Sequence, residues 1–387
     1  MQLVNLPHRS ALEASSDVLE VLRFFETPHT RKEFEASYDI DGAVLDTLLR
    51  ESMLVDASTL PLVRDGLLTR AVTPVGAPLS LHELSPRRGA AKTFALLGVP
   101  TDQGSTAEAG ARVGPTAIRA VLTGLEVDDT GALPAAYLDI DARRRYRTEG
   151  RRLLDVGDVL RVPREGVEAM GAKVEHATAT LFAAGVTPIL LGGDHALSLY
   201  GIRAAVARFG RIGVLHFDAH HDLSLGEAGV DHANVFRHVL ALKEVCALRQ
   251  IGLRTLEPAP SFLNARRDAR LSWVTARELR AMRRVTTALR GLSRTLPYYL
   301  SFDIDCLDPS VAPETGSPVA GGLALHHALD LVGHACRTLR IVGADFVEVA
   351  GPATGRNLAA AAAARLVAQV IVGDAPSSRL APSFLVP

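Results

Sequence analysis

Cysteine is scarce in this sequence. The 387 residues include only three, Cys246, Cys306 and Cys336, and their wide separation suits neither a disulfide scaffold nor a zinc knuckle. Scattered thiols in a chain of this size are typical of a protein kept in a reducing compartment. We therefore predict a cytoplasmic location.

The sequence also lacks a charge surplus and long apolar runs. The formal net charge is -1 at pH 7, whereas proteins that bind nucleic acids or anionic membranes usually carry a clustered basic surplus. No segment approaches the roughly 20 apolar residues that span a bilayer, and the N-terminus lacks the apolar core of a signal peptide. We expect neither a nucleic-acid partner nor a membrane, so any specificity has to come from a local site.

What the chain does contain is enough apolar sequence for a large core. Hydrophobic residues make up 48% of the chain and charged residues 22%, which is the balance of a globular protein, and the length exceeds the usual size of one domain. From about Lys92 onward, apolar runs alternate with helical patterns, which predicts an α/β fold with a parallel sheet covered on both faces. The predicted strands are TFALLGV, VTPILLGG, RIGVLHF, RQIGLR, PYYLSFDI and RIVGADFVEV.

Residues 1–88 form a separate predicted module. Three helical segments are expected, the second of which opens with a capping box over Thr30–Glu33, and Asp65-Gly66 lies between two β-rich runs, as in a hairpin. This order is winged-helix-like, although a small helical oligomerisation arm fits equally well. The module has 13 acidic and 9 basic residues, so a peptide or protein partner is easier to accept than DNA. A proline-rich linker would lead into the catalytic domain, residues 89–387.

Three predicted strand ends carry side chains that commonly bind metal ions. They are His195 in GGDH, Asp218, His220 and Asp222 in DAHHD, and Asp303 and Asp305 in SFDID. Because alternate residues of an extended segment face the same way, the side chains of each segment can point together while His221 points away. Ligands of open α/β sheets collect at the carboxyl ends of the strands, so the three segments can converge on one crevice.

The ligand types indicate two divalent cations. Four carboxylates and two neutral imidazoles would balance the charge of such a pair. Oxygen-rich ligands with some imidazole suit two Mn²⁺ better than zinc, although Ni²⁺ or Fe²⁺ also fits the ligand types. A two-metal site activates water near neutral pH, so the pattern predicts hydrolysis.

The motifs and their order resemble the arginase and agmatinase family of ureohydrolases from about Thr93 to Val372, which makes residues 1–88 an N-terminal extension. The matching segments are GVPTDQGSTAEAGARVGPTAIR, DVGDV, LGGDHALS, HFDAHHDL, QIGLR, SFDIDCLDPSVAPETGSPVAGGL and DFVEV. The resemblance implies a three-layer α/β fold with a parallel sheet, a dinuclear manganese centre, and homo-oligomers that are trimers or hexamers. It also implies hydrolysis of a guanidinium group to urea plus an amine.

The resemblance also implies roles for individual residues. The six strand-end residues would hold the metals, and Asp222 would in addition accept a hydrogen bond from the attacking hydroxide. Glu348 would bind the guanidinium through a charge-assisted hydrogen bond, and His232 would carry a proton to the leaving amine. Asp194 and His216 would orient the ligands from behind.

The pocket mouth departs from the family pattern. Thr255 and Glu257 occupy the positions where arginases recognise free arginine through an acidic pair, and Asn234 lies in ANVFRH, which replaces a sequence that usually begins with glycine. These three residues and Glu348 are the predicted substrate-binding residues. The main hypothesis is therefore an agmatinase-like hydrolase of a small guanidino compound.

Other functions stay open at the level of sequence. The missing features for free arginine and the additional module favour a peptide arginase, which would convert arginine residues of a peptide to ornithine while the N-terminal module binds the peptide. A metal-binding regulator without activity is disfavoured because all six ligand positions are present. An amide hydrolase of the histone-deacetylase type is disfavoured by the ligands of the second metal.

Overall fold

The computed structural model describes most of the chain. It describes residues 92–380 except 123–124, 162–164, 226–228, 257–258 and 354–355, and before residue 92 it describes residues 2–5, 10–13, 18, 21–22, 24, 30–38, 42–50, 67–69, 71, 75–78, 81 and 84. The chain divides into two compact units, Met1–Leu68 and Thr69–Pro387. In the described part of the chain, no helix has the length and apolar character needed to cross a membrane.

The first unit contains a β-hairpin and helices. Strand β1 (Gln2–Asn5) pairs antiparallel with β2 (Ser10–Glu13), and helices α1 (Arg31–Ser37) and α2 (Gly42–Arg50) follow. The predicted capping box is confirmed, because the side chains and backbone N–H groups at both ends of TRKE bond reciprocally at the start of α1. A small apolar core is formed by Val21, Phe34, Leu45 and Leu48.

The strands from residue 68 onward are β3 (Leu68–Thr69), β4 (Ala77–Pro78), β5 (Thr93–Gly98), β6 (Ala136–Asp139), β7 (Arg144–Arg147), β8 (Arg152–Val159), β9 (Thr187–Leu191), β10 (Ile212–Phe217), β11 (Val245–Leu253), β12 (Leu271–Thr275), β13 (Pro297–Asp303), β14 (Arg340–Val347) and β15 (Ser377–Arg379). The helices are α3 (Gly114–Val121), α4 (Val167–Ala183), α5 (Ser198–Phe209), α6 (Val235–Ala241), α7 (Ala259–Ala265), α8 (Ala276–Ala281), α9 (Leu325–Thr338) and α10 (Leu358–Gly373).

One large sheet organises the second unit. Its strand order is β12-β11-β10-β13-β14-β9-β5-β8-β3, with β4 also paired to β8, and the pairs from β12 to β8 are parallel. Every residue of β10 and β13 is buried, as expected for strands covered on both faces. Helices α4 and α5 pack on each other, and α10 packs against α3 and α9. The predicted three-layer α/β fold and its six strands are confirmed, and β6, β7 and β15 form a separate antiparallel sheet.

The second unit begins earlier than the sequence predicts. Strand β4 lies within the predicted linker, yet Ala77 pairs in parallel with Leu154 of β8. Gly76 allows this approach, because a Cβ atom there would lie 2.7 Å from the backbone carbon of Leu154. Strand β3, predicted as half of a hairpin in the N-terminal module, lies beside β8 at the sheet edge. The Asp65-Gly66 turn lies outside the described residues, and the winged-helix assignment stays a prediction.

An aromatic ladder aligns the strand ends that carry the site. Phe217, Phe302 and Phe346 are directly paired across β10, β13 and β14, and their ring centroids lie 5.1 and 6.0 Å apart. Stacked rings on directly paired residues resist a slip in register, which would move every side chain to the other face. Asp218 and Asp303 directly follow their phenylalanines, and Glu348 lies two residues after Phe346.

Candidate metal centre and active site

The predicted ligands meet at the carboxyl ends of the strands. Asp218 follows β10, Asp303 ends β13, and His195 lies in a short 3₁₀ helix after β9. The Nδ1 atom of His195 lies 3.1, 3.1 and 3.3 Å from the Oδ2 atoms of Asp218, Asp222 and Asp303, respectively. Three carboxylate oxygens therefore surround one ring nitrogen in the protein interior.

Ser301 determines which nitrogen of His195 faces these oxygens. The Ser301 hydroxyl donates to Asp345 Oδ1 at 2.7 Å and lies 2.8 Å from His195 Nε2. Because a hydroxyl has one proton, Ser301 accepts from the Nε2–H group, which leaves the Nδ1 lone pair for a proton or a metal ion. Among the described residues, Nδ1 has no hydrogen-bond partner. A buried nitrogen that faces three carboxylates fits a cation between them.

A second group of ligands adjoins the first. The Nδ1 atom of His220 lies 2.9 Å from Asp305 Oδ2 and 3.4 Å from Asp218 Oδ1. Asp218 therefore belongs to both groups, with Oδ2 toward His195 and Oδ1 toward His220. Backbone bonds hold the carboxylates in place, since Ala219 N–H donates to Asp305 Oδ1 at 3.0 Å. One carboxylate shared between two ligand groups is the arrangement that a two-metal site requires.

The cluster contains more buried negative charge than its own histidines compensate. Burial and the charge on Asp218 raise the pKa of Asp222 to about 7. Burial and the charge on Asp305 raise the pKa of Asp303 well above its ordinary value. Burial opposes the charge of His220, yet its hydrogen bonds to Asp218 and Asp305 raise the pKa of the ring to about 12. The site therefore attracts positive charge, as metal ions would supply.

His216 supports Asp218 from behind. Gln250 Nε2 donates to His216 Nδ1 at 2.9 Å and to the His221 carbonyl at 2.7 Å. The proton of His216 is therefore on Nε2, which donates to Asp218 Oδ2 at 2.8 Å. Burial lowers the pKa of His216 to about 4, so the ring stays neutral. Although His216 lies close enough to count among the donors around Asp218, both of its ring nitrogens are already engaged.

The predicted reason for the shared direction of Asp218, His220 and Asp222 is wrong. Strand β10 ends before this segment, and Asp222 has a φ of +53° rather than an extended backbone. The Asp218 carboxylate accepts from the His220 N–H at 2.6 Å, so a turn and not a strand brings the side chains together. His221 nevertheless points away, as predicted, and its ring stacks on Phe262 at 5.3 Å.

Glu348 and His232 form a pair on the wall of the site. Glu348 has a φ of +61°, a strained conformation for a non-glycine residue. Its Oε1 atom accepts from the His195 backbone N–H at 2.8 Å and lies 3.1 Å from His232 Nδ1. Since the described residues engage Oε1 in both bonds, Oε2 is the oxygen that can accept from a ligand. Burial opposes the charge of His232, but the hydrogen bond to Glu348 raises its pKa.

The loop before α3 holds the other side of His232. Thr106 N–H donates to His232 Nε2 at 3.0 Å, and the Thr106 hydroxyl lies 2.8 Å from the same atom. Asp194 accepts from Gly104 N–H of this loop at 2.9 Å, and burial together with the charge on Glu348 raises its pKa to about 6. Asp194 thus supports the loop that orients His232. Sequence reasoning missed Thr106, because a lone loop threonine has no distinguishing pattern.

Most of the predicted site residues line one pocket of about 420 Å³. Asp218 lies beneath it and is fully buried. The pocket also contains Thr315, whose buried hydroxyl has no hydrogen-bond partner in the described part of the chain. Thr315 was not predicted, although it lies in the PETGSP segment of a family motif. The predicted residues in the lining are His195, His220, Asp222, His232, Thr255, Asp303, Asp305 and Glu348.

The prediction for Asn234 is wrong, because its amide is used to fold its own loop. Asn234 Nδ2 donates to the Gly229 carbonyl at 3.1 Å and to Asp231 Oδ2 at 2.9 Å, and Oδ1 accepts from Asp231 N–H at 3.0 Å. The side chain is fully buried and does not line the pocket. Glu257 lies outside the described residues, so its predicted role stays a prediction.

The Ser301→Ala variant is expected to bind metal about 10- to 100-fold more weakly than the wild type, the usual effect of losing a residue that orients a ligand. Ser301 is the hydrogen-bond partner of His195 Nε2 among the described residues, so without the hydroxyl none of them holds the Nε2–H tautomer. Competition with a chelating dye measures the affinity. Ser378→Ala, at an exposed position, is the matched control, and equal affinity of both variants would contradict the role of Ser301.

The fold and the ligand cluster are those of a metal-dependent α/β hydrolase. A sequence profile of the Arginase family matches residues 92–373. The chain is 34% identical to an agmatinase of Sodalis glossinidius over 282 residues, which covers 72% of this chain and 86% of that protein. It is 32% identical to an agmatinase of Proteus mirabilis over 280 residues, with the same coverage.

Solved structures agree with the sequence matches. The proclavaminate amidino hydrolase of Streptomyces clavuligerus superposes with a TM-score of 0.62 at 28% identity, which covers 77% of this chain and 96% of that one. A hypothetical agmatinase from Burkholderia thailandensis superposes with a TM-score of 0.60 at 26% identity and covers 79% and 93% of the two chains. The chain belongs to the arginase family, whose members depend on two metal ions and hydrolyse C–N bonds in guanidino compounds.

Proposed function

We propose that the protein hydrolyses a guanidino compound to urea and an amine in an agmatinase-like reaction. The observation that carries this proposal is the convergence of two metal-ligand groups with Glu348 and His232 on one pocket. The similarity to agmatinases supports the same reaction class.

The metal ions would be held by the six strand-end residues. His195, Asp222 and Asp303 face one position, His220 and Asp305 face the other, and Asp218 reaches both. Two divalent cations would supply the activation of water that attack on a guanidinium carbon requires. The oxygen-rich ligand set favours Mn²⁺, with Ni²⁺ or Fe²⁺ as second choices.

The other residues would bind the substrate and move its protons. Glu348 Oε2, which the described residues leave without a hydrogen bond, accepts from a guanidinium N–H group in a charge-assisted bond, which orients the carbon for attack. Asp222 would accept a hydrogen bond from the attacking water and so orient it toward the guanidinium carbon. His232 would act as the imidazolium, which its raised pKa beside Glu348 favours, and would pass one ring proton to the leaving amine, so that the neutral ring keeps a proton on Nδ1 toward Glu348. The Thr315 hydroxyl, which has no hydrogen-bond partner among the described residues, is a further contact for the guanidinium.

A peptide arginase is the second candidate. The described carboxylates of the pocket are already assigned, since Asp222, Asp303 and Asp305 face the metals and Glu348 faces the guanidinium. None of them is left for the ammonium group at the other end of agmatine. The pocket mouth contains the fully exposed Leu256. An arginine side chain in a peptide suits such a mouth, and in this candidate the N-terminal module, residues 1–88, binds the rest of the peptide.

Urea release by the Mn²⁺-loaded protein tests both candidates. Agmatine and arginine-containing peptides are compared in parallel, and mass spectrometry follows the peptides. Urea from agmatine supports the first candidate. A loss of about 42 Da per modified arginine, the difference between arginine and ornithine side chains in this hydrolysis, supports the second. Absence of urea from a broad guanidino panel despite full metal loading would refute the ureohydrolase proposal.

The proposal extends to the location, the oligomeric state and the partners of the protein. The protein would act in the cytoplasm as a homo-oligomer, a trimer or hexamer, with its guanidino substrate as the partner. The net charge of -1 supports the proposal that neither a nucleic acid nor a membrane takes part. Sedimentation of the purified protein measures the oligomeric state.

A further inference from the structure

A second cleft adjoins the catalytic pocket. Its volume is about 630 Å³, and it shares Arg254 and Thr255 with the pocket that contains the metal ligands. His221 also lines it, on the side of DAHHD that faces away from the metals. The cleft therefore begins where the mouth of the catalytic pocket ends, within reach of the part of a substrate that lies beyond the guanidinium.

A row of rings forms one wall of the cleft. His221 stacks on Phe262 at 5.3 Å, and Phe262 meets Trp273 edge to face at 4.9 Å. Trp273 is 38% exposed and Leu263 is 42% exposed, so large apolar side chains face solvent here. Exposed apolar surface that is concave and joined to an active site is typical of a ligand subsite.

The cleft is lined by positive charge, whereas the catalytic pocket is lined by negative charge. Arg277 and Arg280 line it, and no described carboxylate does. Arg280 donates to the Gly321 carbonyl, and in the described part of the chain neither guanidinium forms an ion pair. The catalytic pocket, by contrast, is lined by carboxylates. The two sites together fit a substrate that is cationic at one end and both anionic and apolar next to it.

We infer that the cleft binds the residues next to the target arginine of a peptide, with a carboxylate against Arg277 and Arg280 and an aromatic side chain against Phe262 and Trp273. The inference rests on the proposed ureohydrolase function and favours its second candidate. An agmatine tail, which ends in an ammonium group, would be repelled by the two arginines. A peptide supplies the carboxylate and the ring without a change in the guanidinium chemistry.

Two blocked pentapeptides with a central arginine test the inference on the metal-loaded full chain. One has glutamate and phenylalanine on both sides, and the other has glutamine and alanine. We expect kcat/KM to be about tenfold higher for the acidic aromatic peptide, the size of one aromatic contact together with an exposed charge pair. Arg277→Gln should reduce the preference about fivefold. Arg283→Gln, an exposed arginine outside the cleft, is the matched control.

Trp273 gives a second readout that does not depend on turnover. It is the only tryptophan of the chain, so intrinsic fluorescence reports the cleft directly. The acidic aromatic peptide with lysine in place of arginine cannot release urea, and it should change the emission in a saturable way. Phe262→Ala should weaken this binding roughly tenfold.

The outcomes separate this inference from the proposed function. Equal turnover of the two peptides, with unchanged Trp273 emission, would overturn the inference and leave the ureohydrolase proposal intact. If no guanidino compound releases urea, saturable quenching of Trp273 by the lysine peptide still supports peptide binding in the cleft. Absence of this quenching refutes the inference. A change in oligomeric state with Arg277→Gln or Phe262→Ala in sedimentation would overturn the inference too, because a second copy of the chain would then cover the cleft.

Discussion

Asp218→Asn is expected to lower kcat/KM by more than about a thousandfold, or about 4 kcal/mol of transition-state stabilisation. Asp218 is the carboxylate that reaches both ligand groups, with one oxygen toward His195 and the other toward His220. Its amide analogue keeps the shape but loses the charge that two cations share. Metal analysis should find about two ions per wild-type chain and fewer than one in the variant.

A stability measurement distinguishes loss of the metals from loss of the fold. Burial opposes the charge of Asp218, but the surrounding His216, His195 and His220 lower its pKa well below the ordinary value. The charge therefore stabilises the metal-free fold, and Asp218→Asn should still unfold cooperatively in a chelator, at a Tm below that of the wild type. Added Mn²⁺ should raise the Tm of the wild type and leave that of the variant unchanged, because only a bound ion stabilises the folded state.

His220→Ala gives a graded comparison. Among the described ligands, the His220 ring contacts those of the second group, so this variant should retain about one ion where Asp218→Asn retains fewer. Asp141→Asn, at an exposed position in the turn between β6 and β7, is the control and should match the wild type in every measurement. Full metal loading and activity in Asp218→Asn would show that the cluster is not a shared two-metal site.

Strand β8 shows where apolar periodicity fails as a guide to the fold. Its sequence RLLDVGDV is interrupted by Asp155 and Asp158, and sequence reasoning did not predict it as a strand. The structure compensates these charges with Arg119 of α3, which donates to Asp155 at 2.9 and 2.8 Å and also pairs with Asp158. The partner lies more than 30 residues away, so no local pattern can reveal that the two aspartates are tolerated in a buried strand.

The same distinction holds in the candidate site. Residues at strand ends could be predicted from the sequence, whereas residues in loops could not. Asp218 and Asp303 could be placed because strand ends of a parallel sheet meet at one edge, and the aromatic ladder keeps those ends in register. Thr315 and Asn234 could not be placed, because each lies in a loop whose path depends on its own hydrogen bonds. The Asn234 amide bonds within its own loop, whereas the Thr315 hydroxyl, which lines the pocket, has no hydrogen-bond partner among the described residues.

Glu348→Gln is expected to lower kcat/KM about a thousandfold, or about 4 kcal/mol, while the metal content stays at the wild-type level. The amide oxygen can still accept from the His195 N–H group, as Glu348 Oε1 does at 2.8 Å, so the ligand that adjoins it keeps its position. The variant loses the negative charge that would pair with the guanidinium. It also loses the Oε2 acceptor, because the amide NH₂ group directs donor hydrogens toward the cation.

The decisive measurement combines kinetics with the binding of a guanidinium ion as a competitive inhibitor. Glu348→Gln should weaken the inhibitor and the substrate together, whereas Asp218→Asn should lose metal first. Glu244→Gln, an exposed glutamate, is the control for the substitution itself. Near-normal kcat/KM in Glu348→Gln would mean that the cation is held elsewhere in the pocket. The strained backbone at Glu348 would then lack the function that its position beside His195 and His232 suggests.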